Sequence, residues 1–278
     1  MALDGADPGG GVPARVEEVY ADLGPVERRV ADFVLDHLGE LPGFTGAELA
    51  TASGTSKATV SRFFRRLGFA SFAAARADAR TRGLPVGQLP AGDDPVAVHL
   101  AHDLRNLERV GATLTAETVD SVARLLASAR RVVVVGWRNS YPVAVHLREQ
   151  LLQARPGVAL APHPGQTVAE EVADLDHRDA LVVAAFRRRP PAVATLLGAG
   201  LEVPTVLVAD PTARTFAPRV THRVEVPVDG PGAFDSYAAA MAVTAVLAEA
   251  VLARRGRAGR DRVAQVARAH GRLAELEP

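Results

Sequence analysis

Residues 45–69 read TGAELATASGTSKATVSRFFRRLGF, and this stretch predicts the fold of the N-terminal third of the chain. The segment Thr45-Gly46-Ala47-Glu48 has the form of a capping box, which begins a helix, and Gly54 suits the left-handed residue that ends one. A second helix begins after Ser56 and runs to Leu67. Two short helices joined by a glycine turn are typical of a helix-turn-helix.

Small and apolar residues in this stretch fit the crossing of the two helices. A helix-turn-helix needs a small residue where the helices touch, a glycine at the turn and a buried aliphatic residue on the second helix. Ala50, Gly54 and Val60 occupy those positions. Leu49 and Phe63 supply further apolar contacts, so the spacing predicts a helix-turn-helix with its own core.

The other face of the second helix is basic and hydroxylated. Residues 51–85 carry seven basic side chains and one acid, although the whole chain has no net charge. Lys, Arg and hydroxyl side chains, and the free amides at a helix start, bind DNA phosphates, while arginines also contact base edges. An ordinary solvated helix face or a protein-interaction module is the alternative. We predict DNA contacts from Thr45, Ser56, Lys57, Thr59, Ser61, Arg62, Arg65 and Arg66.

These residues also resemble a known family. The run TGAELA, followed by GTSKATVSRFFRRLGF, closely resembles the N-terminal domain of MurR/RpiR-type bacterial transcriptional regulators. Those regulators join such a domain to a C-terminal sugar isomerase (SIS) domain that senses phosphorylated sugars. The resemblance covers residues 15–255 and implies a DNA-binding transcription regulator with the same domain order.

Strands alternate with helices in the rest of the chain. Runs rich in Val, Ala and Leu predict strands at 131–136, 158–162, 180–186, 204–209 and 222–227. Such runs, separated by segments of helix length, are typical of a parallel sheet that is covered on both faces. The predicted fold is an all-α helix-turn-helix domain followed by an α/β three-layer sandwich with a parallel, flavodoxin-like five-stranded sheet, similar to a SIS domain.

Changes in composition set the predicted domain boundaries. Two segments are rich in Gly and Pro and have little to bury, which is typical of disordered ends and linkers. We predict a disordered leader (1–13), a helix-turn-helix DNA-binding domain (14–82), a linker (83–95), a SIS-like effector-binding and dimerisation domain (96–255) and a C-terminal helix (256–278).

The composition excludes several classes of function. The chain has no cysteine, which excludes disulfides, thiolate chemistry and cysteine metal sites. Neither GxGxxG nor GxxxxGK[ST] occurs, and His99, His102 and Asp103 alone make a poor metal site, so we expect no cofactor and no metal. The N-terminus lacks the pattern of a signal peptide and no apolar run is long enough to span a membrane, so we expect a cytoplasmic protein without a membrane partner.

An open parallel sheet binds ligands at the loops that leave the carboxyl ends of its strands. In the loop after the first strand, Gly136 and Ser140 match the SIS pattern, but Arg138 stands where the family usually has a second glycine. After the third strand, three successive arginines, 187–189, replace the Ser- and Thr-rich loop that cradles the sugar phosphate in SIS domains. Guanidinium groups bind carboxylates and phosphates through forked donors.

We therefore predict a small anionic effector, a phosphosugar or, because the loops are altered, a carboxylate. Plain helix caps, turns and a solvated basic loop are the alternatives for these residues. The predicted ligand-binding residues are Trp137, Arg138, Asn139, Ser140, His163, Gln166, Arg187, Arg188, Arg189, Asp235 and Ser236.

Two other functions remain open at this point: a sugar-phosphate isomerase-type enzyme and a non-catalytic sugar-phosphate binding protein. An isomerase needs a general base beside its substrate, and Glu170, Glu171 and Asp235 show no recognisable catalytic arrangement. The basic helix argues against a pure binding protein. We expect no enzymatic activity, a double-stranded DNA operator as partner and a homo-oligomer, either a dimer or a dimer of dimers, with helices near 237–253 and 258–276 at the interface.

Overall fold

A computed structural model describes residues 11–36, 41, 44–82, 94–187, 189–232 and 234–275. The chain divides into two units, the first spanning Met1–Pro95 with Pro231–Phe234 and the second spanning Val96–Gly230 with Asp235–Pro278. Most of the predicted leader, and the predicted linker up to residue 93, lie outside the described residues.

The helices of the first unit follow the apolar pattern of the sequence. In its described part they are α1 (Val12–Val19), α2 (Pro25–Asp36), α3 (Gly46–Ala52), α4 (Lys57–Arg66) and α5 (Phe72–Arg82). Helix α1 begins inside the predicted leader because Val12 and Val16 are both buried in the core of this unit. The leader was therefore predicted too long at its C-terminal end.

The second unit alternates helices and strands as predicted. Its described elements are α6 (Pro95–Thr113), α7 (Ala116–Ser128), β1 (Val132–Gly136), α8 (Ser140–Ala154), β2 (Val158–Ala161), α9 (Ala169–Val172), β3 (Ala180–Ala184), α10 (Pro191–Gly198), β4 (Thr205–Ala209), β5 (His222–Glu225) and α11 (Ala238–Leu273). Gly256, with φ 53° and ψ −122°, interrupts α11 between the two helices that the sequence predicts.

All five strands are parallel and lie in the order β2-β1-β3-β4-β5. This is the flavodoxin-like order, so the predicted fold class is confirmed. Within β1, Val132 and Val134 belong to the core formed with α7, α8 and α11. Val133 and Val135 belong to the core on the opposite face, with α9 and α10. Helices on both faces explain why β1 to β4 lack polar alternation.

A buried carboxylate joins the amino ends of two neighbouring strands. Asp179, just before β3, accepts hydrogen bonds from Arg130 Nε at 2.9 Å and Nη2 at 2.6 Å. The backbone amides of Arg131 and Asp176 donate to the same carboxylate at 3.1 Å each. The hydrogen bond from Arg130 is the main cause that lowers the pKa of Asp179 to about 2.

We expect the contribution of Asp179 to the stability of the second unit to be lost at acid pH. A carboxyl whose pKa is lower in the folded than in the unfolded chain, where it is about 3.9, stabilises the fold above that unfolded value. This stabilisation is lost as the pH falls from about 4 towards the folded value of about 2. Urea unfolding of the wild type and of Asp179→Asn at several pH values should show the difference between them shrinking over this range. A difference that stays constant would contradict the assignment.

Candidate DNA-binding surface and effector site

The start of α3, the turn at Gly54 and the start of α4 have the geometry that the sequence predicts. Thr45 Oγ1 accepts from the Glu48 amide at 3.2 Å while Glu48 Oε2 accepts from the Thr45 amide at 2.8 Å, which completes the capping box. Gly54 lies in the left-handed region at φ 62°, where a side chain would be strained. Ser56 then caps α4 by accepting from the Thr59 amide at 3.1 Å.

Apolar side chains hold α4 with one face inward. Val60, Phe63 and Phe64 are buried in the core of the first unit. The ring of Phe64 contacts that of Phe63 at 5.2 Å between centroids and that of Phe72 at 4.9 Å. Because these contacts fix the rotation of α4 about its axis, they also fix which side chains face solvent.

The solvent-facing side of α4 carries unpaired cations. Lys57, Arg62 and Arg65 are exposed, and Ser61 between them is half-buried. Within the described part of the chain, no carboxylate forms an ion pair with any of the three cations. Their charge is therefore free to meet a polyanion.

Thr59 and Arg66 do not lie where DNA contacts were predicted. Thr59 is only 5% exposed, and its hydroxyl lies 3.0 Å from that of Ser56, so it belongs to the helix cap. Arg66 contacts α2 and the residues just before it. It donates to Glu27 Oε2 and to the Asp22 carbonyl at 2.9 Å each. Both side chains hold the domain together instead of extending the cationic face.

In the second unit, the loop after β1 packs tightly against the start of α8. A Cβ on Gly136 would lie 2.8 Å from Ala144 Cβ and 2.8 Å from the Ser140 carbonyl oxygen, so only glycine fits. Ser140 is buried, and its hydroxyl accepts from the Phe186 amide at 2.9 Å. Arg138 has φ 53°, a left-handed conformation that explains why a glycine would suit this position.

Replacing Gly136 by alanine should destabilise the second unit by about 1–3 kcal/mol, the usual cost of overpacking a core. The new methyl group would have to push the start of α8 away from β1. Urea unfolding of the full chain, followed by circular dichroism, measures the loss. Gly271→Ala is the matched control, because nothing lies within 4 Å of a Cβ there. Equal stability of the two variants would contradict the proposed close approach.

Two of the predicted effector-loop arginines pair with carboxylates of this chain. Arg187 donates from Nε at 2.9 Å and from Nη2 at 2.6 Å to the same oxygen, Oδ1, of Asp235. Arg189 donates to Asp210 Oδ2 at 2.8 Å and to the Ala185 carbonyl at 2.8 Å. The loop is therefore not a cluster of free positive charges as the sequence suggested, and Arg188 lies outside the described residues.

Charge compensation at this edge is visible in the pKa values. Burial opposes ionisation of Arg187, but the hydrogen bond to Asp235 and the nearby carboxylates of Asp210 and Asp229 raise its pKa overall. Tyr237 stacks edge-on against Phe186 at 5.4 Å. Burial, followed by the negative charges of Asp235 and Asp210, raises the pKa of Tyr237 to about 12. This tyrosine therefore stays protonated at neutral pH.

The other predicted ligand-binding residues are more scattered. Trp137 is half-buried and packs against the core on the α9 and α10 side of the sheet, and Asn139 is exposed at the start of α8. His163 and Gln166 are exposed, and a backbone hydrogen bond of 2.9 Å joins them in the loop after β2. Ser236 is buried, with its amide bonded to the Val228 carbonyl at 2.8 Å.

Asp229 makes contacts near this edge that the sequence does not predict. His102 Nε2 lies 2.9 Å from its Oδ2, and Arg109 Nη1 donates to its Oδ1 at 3.0 Å. Asn106 donates to its backbone carbonyl at 2.8 Å. All three partners lie on α6, more than a hundred residues earlier in the chain, so no local pattern could have shown the contact. By contrast, the sequence does point to Asp210, because it directly follows a strand at the edge where open parallel sheets bind ligands.

The two histidines of α6 lie beside carboxylates. His102 is used by Asp229, while His99 lies 3.6 Å from Asp103 one helical turn away. Among the described residues, no group of three or more His, Asp or Glu side chains could hold a metal ion. The same residues contain no helix that is both long and apolar enough to cross a membrane.

The fold and these surfaces define a two-part protein, with a helix-turn-helix domain first and a flavodoxin-like α/β domain second. Residues 10–78 match the family model described as a helix-turn-helix domain of the rpiR family. The N-terminal domain of this chain therefore belongs to the rpiR family of helix-turn-helix domains, as the resemblance of residues 45–69 predicts.

Curated proteins also match parts of this chain. An uncharacterized HTH-type transcriptional regulator from the aarA 3′ region of Providencia stuartii is 27% identical over 146 residues, which are 49% of this chain and 51% of that protein. The chain thus spans about half the length of this curated relative, and 34% of the length of a second one that it matches.

Solved structures share the fold of the second unit. The sugar isomerase domain of an RpiR transcription factor from Sphaerobacter thermophilus superimposes with a TM-score of 0.54 at 24% identity, covering 63% of this chain and 98% of that one. The Vibrio vulnificus NanR protein, complexed with ManNAc-6P, superimposes with a TM-score of 0.57 at 19% identity, covering 94% of this chain and 98% of that one. The second unit therefore has a SIS-type fold.

Proposed function

We propose that this chain is a DNA-binding transcriptional regulator whose second unit binds a small anionic metabolite. The observation that carries the proposal is the outer face of α4, where Lys57, Arg62 and Arg65 are exposed and unpaired among the described residues. The second helix of a helix-turn-helix enters the major groove of DNA, where arginines bind base edges and phosphates. Ser56 and Ser61 add hydroxyls to the same surface.

The effector site lies at the carboxyl ends of the strands. Open parallel sheets bind ligands there, and Arg187, Tyr237 and the start of α8 all come from that edge. The NanR structure of similar fold holds a phosphosugar, which supports an anionic ligand of that class, while the arginine favours a carboxylate or phosphate group. Phosphosugars and small carboxylates are therefore the ligands to screen.

No enzymatic activity is part of the proposal. A general base needs a carboxylate or imidazole that can accept a proton from the substrate. The carboxylates at this edge are already engaged, Asp235 by Arg187, Asp210 by Arg189 and Asp229 by α6. Binding without turnover is what a sensor domain requires.

A second copy of the chain completes the DNA-binding protein. One helix-turn-helix reads only a short site, so two-fold pairing supplies specificity. An apolar groove of about 710 Å³ runs between α6, α7 and α11 and is lined by Val110, Leu114, Val119, Val246 and Ala250. Its rim carries the ion pair between Asp120 and Arg254. An isologous dimer would place the same groove of both copies together.

The domain boundaries follow from these assignments. They are those that the sequence predicts, with a DNA-binding domain that ends at residue 82, a linker over residues 83–95 and an effector domain over residues 96–255. The division of the chain between Pro95 and Val96 supports the start of the effector domain. Helix α11 continues beyond residue 255, past the break at Gly256, and supplies the C-terminal helix.

Selection from a random pool of DNA duplexes by the full-length chain tests the proposal. We expect enrichment of a two-fold symmetric site whose half-sites lie about one helical turn, or a multiple of it, apart. Light scattering on the same sample should report a dimer or tetramer. No enrichment at low salt would overturn the proposed function, and a monomer with and without DNA would overturn the dimer.

A further inference from the structure

The two ion pairs at the carboxyl edge differ in their exposure to solvent. The side chains of Arg189 and Asp210 are 10% and 3% exposed, so that pair is closed within the fold. Those of Arg187 and Asp235 are 36% and 14% exposed. Of these two arginines, only Arg187 can therefore exchange its carboxylate partner for another anion without unpacking the sheet.

The Arg187–Asp235 pair is also incomplete. A guanidinium group binds a carboxylate best when two donors meet two different oxygens. Here Nε and Nη2 of Arg187 both donate to Oδ1 of Asp235, at 2.9 and 2.6 Å. A carboxylate or phosphate that offers two oxygens would match the forked donors more fully than Asp235 does.

Asp229, six residues before Asp235, is attached to another element of the second unit. It is held by His102, Asn106 and Arg109 of α6. If Asp235 leaves Arg187, these contacts of Asp229 with α6 can remain, while the contact of Asp235 with the sheet edge is lost.

We infer that Arg187 is the anion-binding group of the effector site and that the carboxylate of Asp235 occupies the place of the effector's acidic group. The effector must therefore displace Asp235 from Arg187 when it binds. This inference rests on the proposed function, because it describes how the proposed sensor takes its ligand. Asp235 is then an internal competitor and not a ligand-binding residue. Asp229, six residues before the displaced carboxylate, is held by α6, which is the helix of the second unit closest in sequence to the DNA-binding domain.

Titration of inorganic phosphate into the full chain by calorimetry tests this exchange. With an internal competitor, the apparent affinity is the intrinsic affinity multiplied by the fraction of time for which the site is free of that competitor. Asp235→Asn should therefore bind phosphate about tenfold more tightly than the wild type. The gain should vanish in the double variant Asp235→Asn/Arg187→Gln. Asp235→Ser repeats the test if the asparagine variant folds poorly.

Asp174→Asn is the matched control, since it breaks an exposed arginine pair, with Arg131, at the opposite edge of the sheet. Its phosphate affinity should equal that of the wild type. Phosphate affinity in Asp235→Asn within twofold of the wild type would overturn the inference, as would a gain that survives Arg187→Gln. DNA binding by the same wild-type sample tests the proposed function separately: a chain that binds its operator but shows no gain in Asp235→Asn refutes the displacement alone.

Discussion

Replacing Arg62 and Arg65 together by alanine is expected to weaken operator binding by about 2–6 kcal/mol. An arginine that contacts a base edge contributes about 1–3 kcal/mol, and simple addition gives this range. Coupling between these neighbours on one helix face can shift the sum by about 0.5–3 kcal/mol. Both side chains are exposed on the face of α4 opposite Val60 and Phe63, so their removal should leave the fold intact. Fluorescence anisotropy at one fixed salt concentration measures the change with the selected duplex.

Arg257→Ala is the control for this pair. It removes one positive charge from a side chain that is 90% exposed on α11, outside the helix-turn-helix. Its operator affinity should match that of the wild type. If either arginine contacts only phosphate, its loss should weaken all sequences alike and reduce the slope of log affinity against log salt by about 1. Unchanged operator affinity in the double variant would refute the assignment of α4 as the recognition helix.

Phe64→Ala should cost the DNA-binding domain about 3–5 kcal/mol of unfolding free energy, the usual range for emptying a buried phenylalanine site. Phe64 is fully buried and its ring meets the rings of Phe63, Phe69 and Phe72. A loss of this size is a large part of the stability of a small domain. Hydrogen exchange of the full chain locates it: peptides from residues 44–82 should lose protection while peptides from β1 and β3 keep theirs.

Phe234→Ala is the matched control for that loss. It removes the same ring from an exposed position, where substitutions usually change stability by less than about 0.5 kcal/mol. Protection of residues 44–82 that survives in Phe64→Ala would contradict the role of this aromatic cluster in holding α4.

The helix-turn-helix was predictable because its determinants are local. The capping box at Thr45, the left-handed Gly54 and the cap at Ser56 each act within a few residues, and the apolar spacing fixes the inner face of α4. The parallel sheet was equally predictable, since β1 to β4 are buried on both faces and consist almost entirely of Val, Ala and Leu.

Pairing between distant residues could not be predicted from the sequence. The sequence predicts that Arg66 faces outward like the other arginines of α4, but in the fold it forms an ion pair with Glu27 of α2. The sequence of the loop after β3 suggests a free anion site, but Arg187 and Arg189 form ion pairs with Asp235 and Asp210 from later loops. Such contacts depend on the tertiary fold and leave no periodic pattern in the sequence.

A thermal-shift screen of phosphosugars and small carboxylates first identifies the anion that most raises the melting temperature of the full chain. The affinity of the chain for its selected operator, measured with and without that anion, is then the strongest test of an effector-responsive regulator. At one fixed salt concentration, the operator should bind at least about 10³-fold more tightly than a scrambled duplex. Adding the anion should change operator affinity by about 5- to 150-fold. Equal affinity for operator and scrambled DNA, unaffected by any phosphosugar or small carboxylate, would contradict a role as an effector-responsive DNA-binding protein.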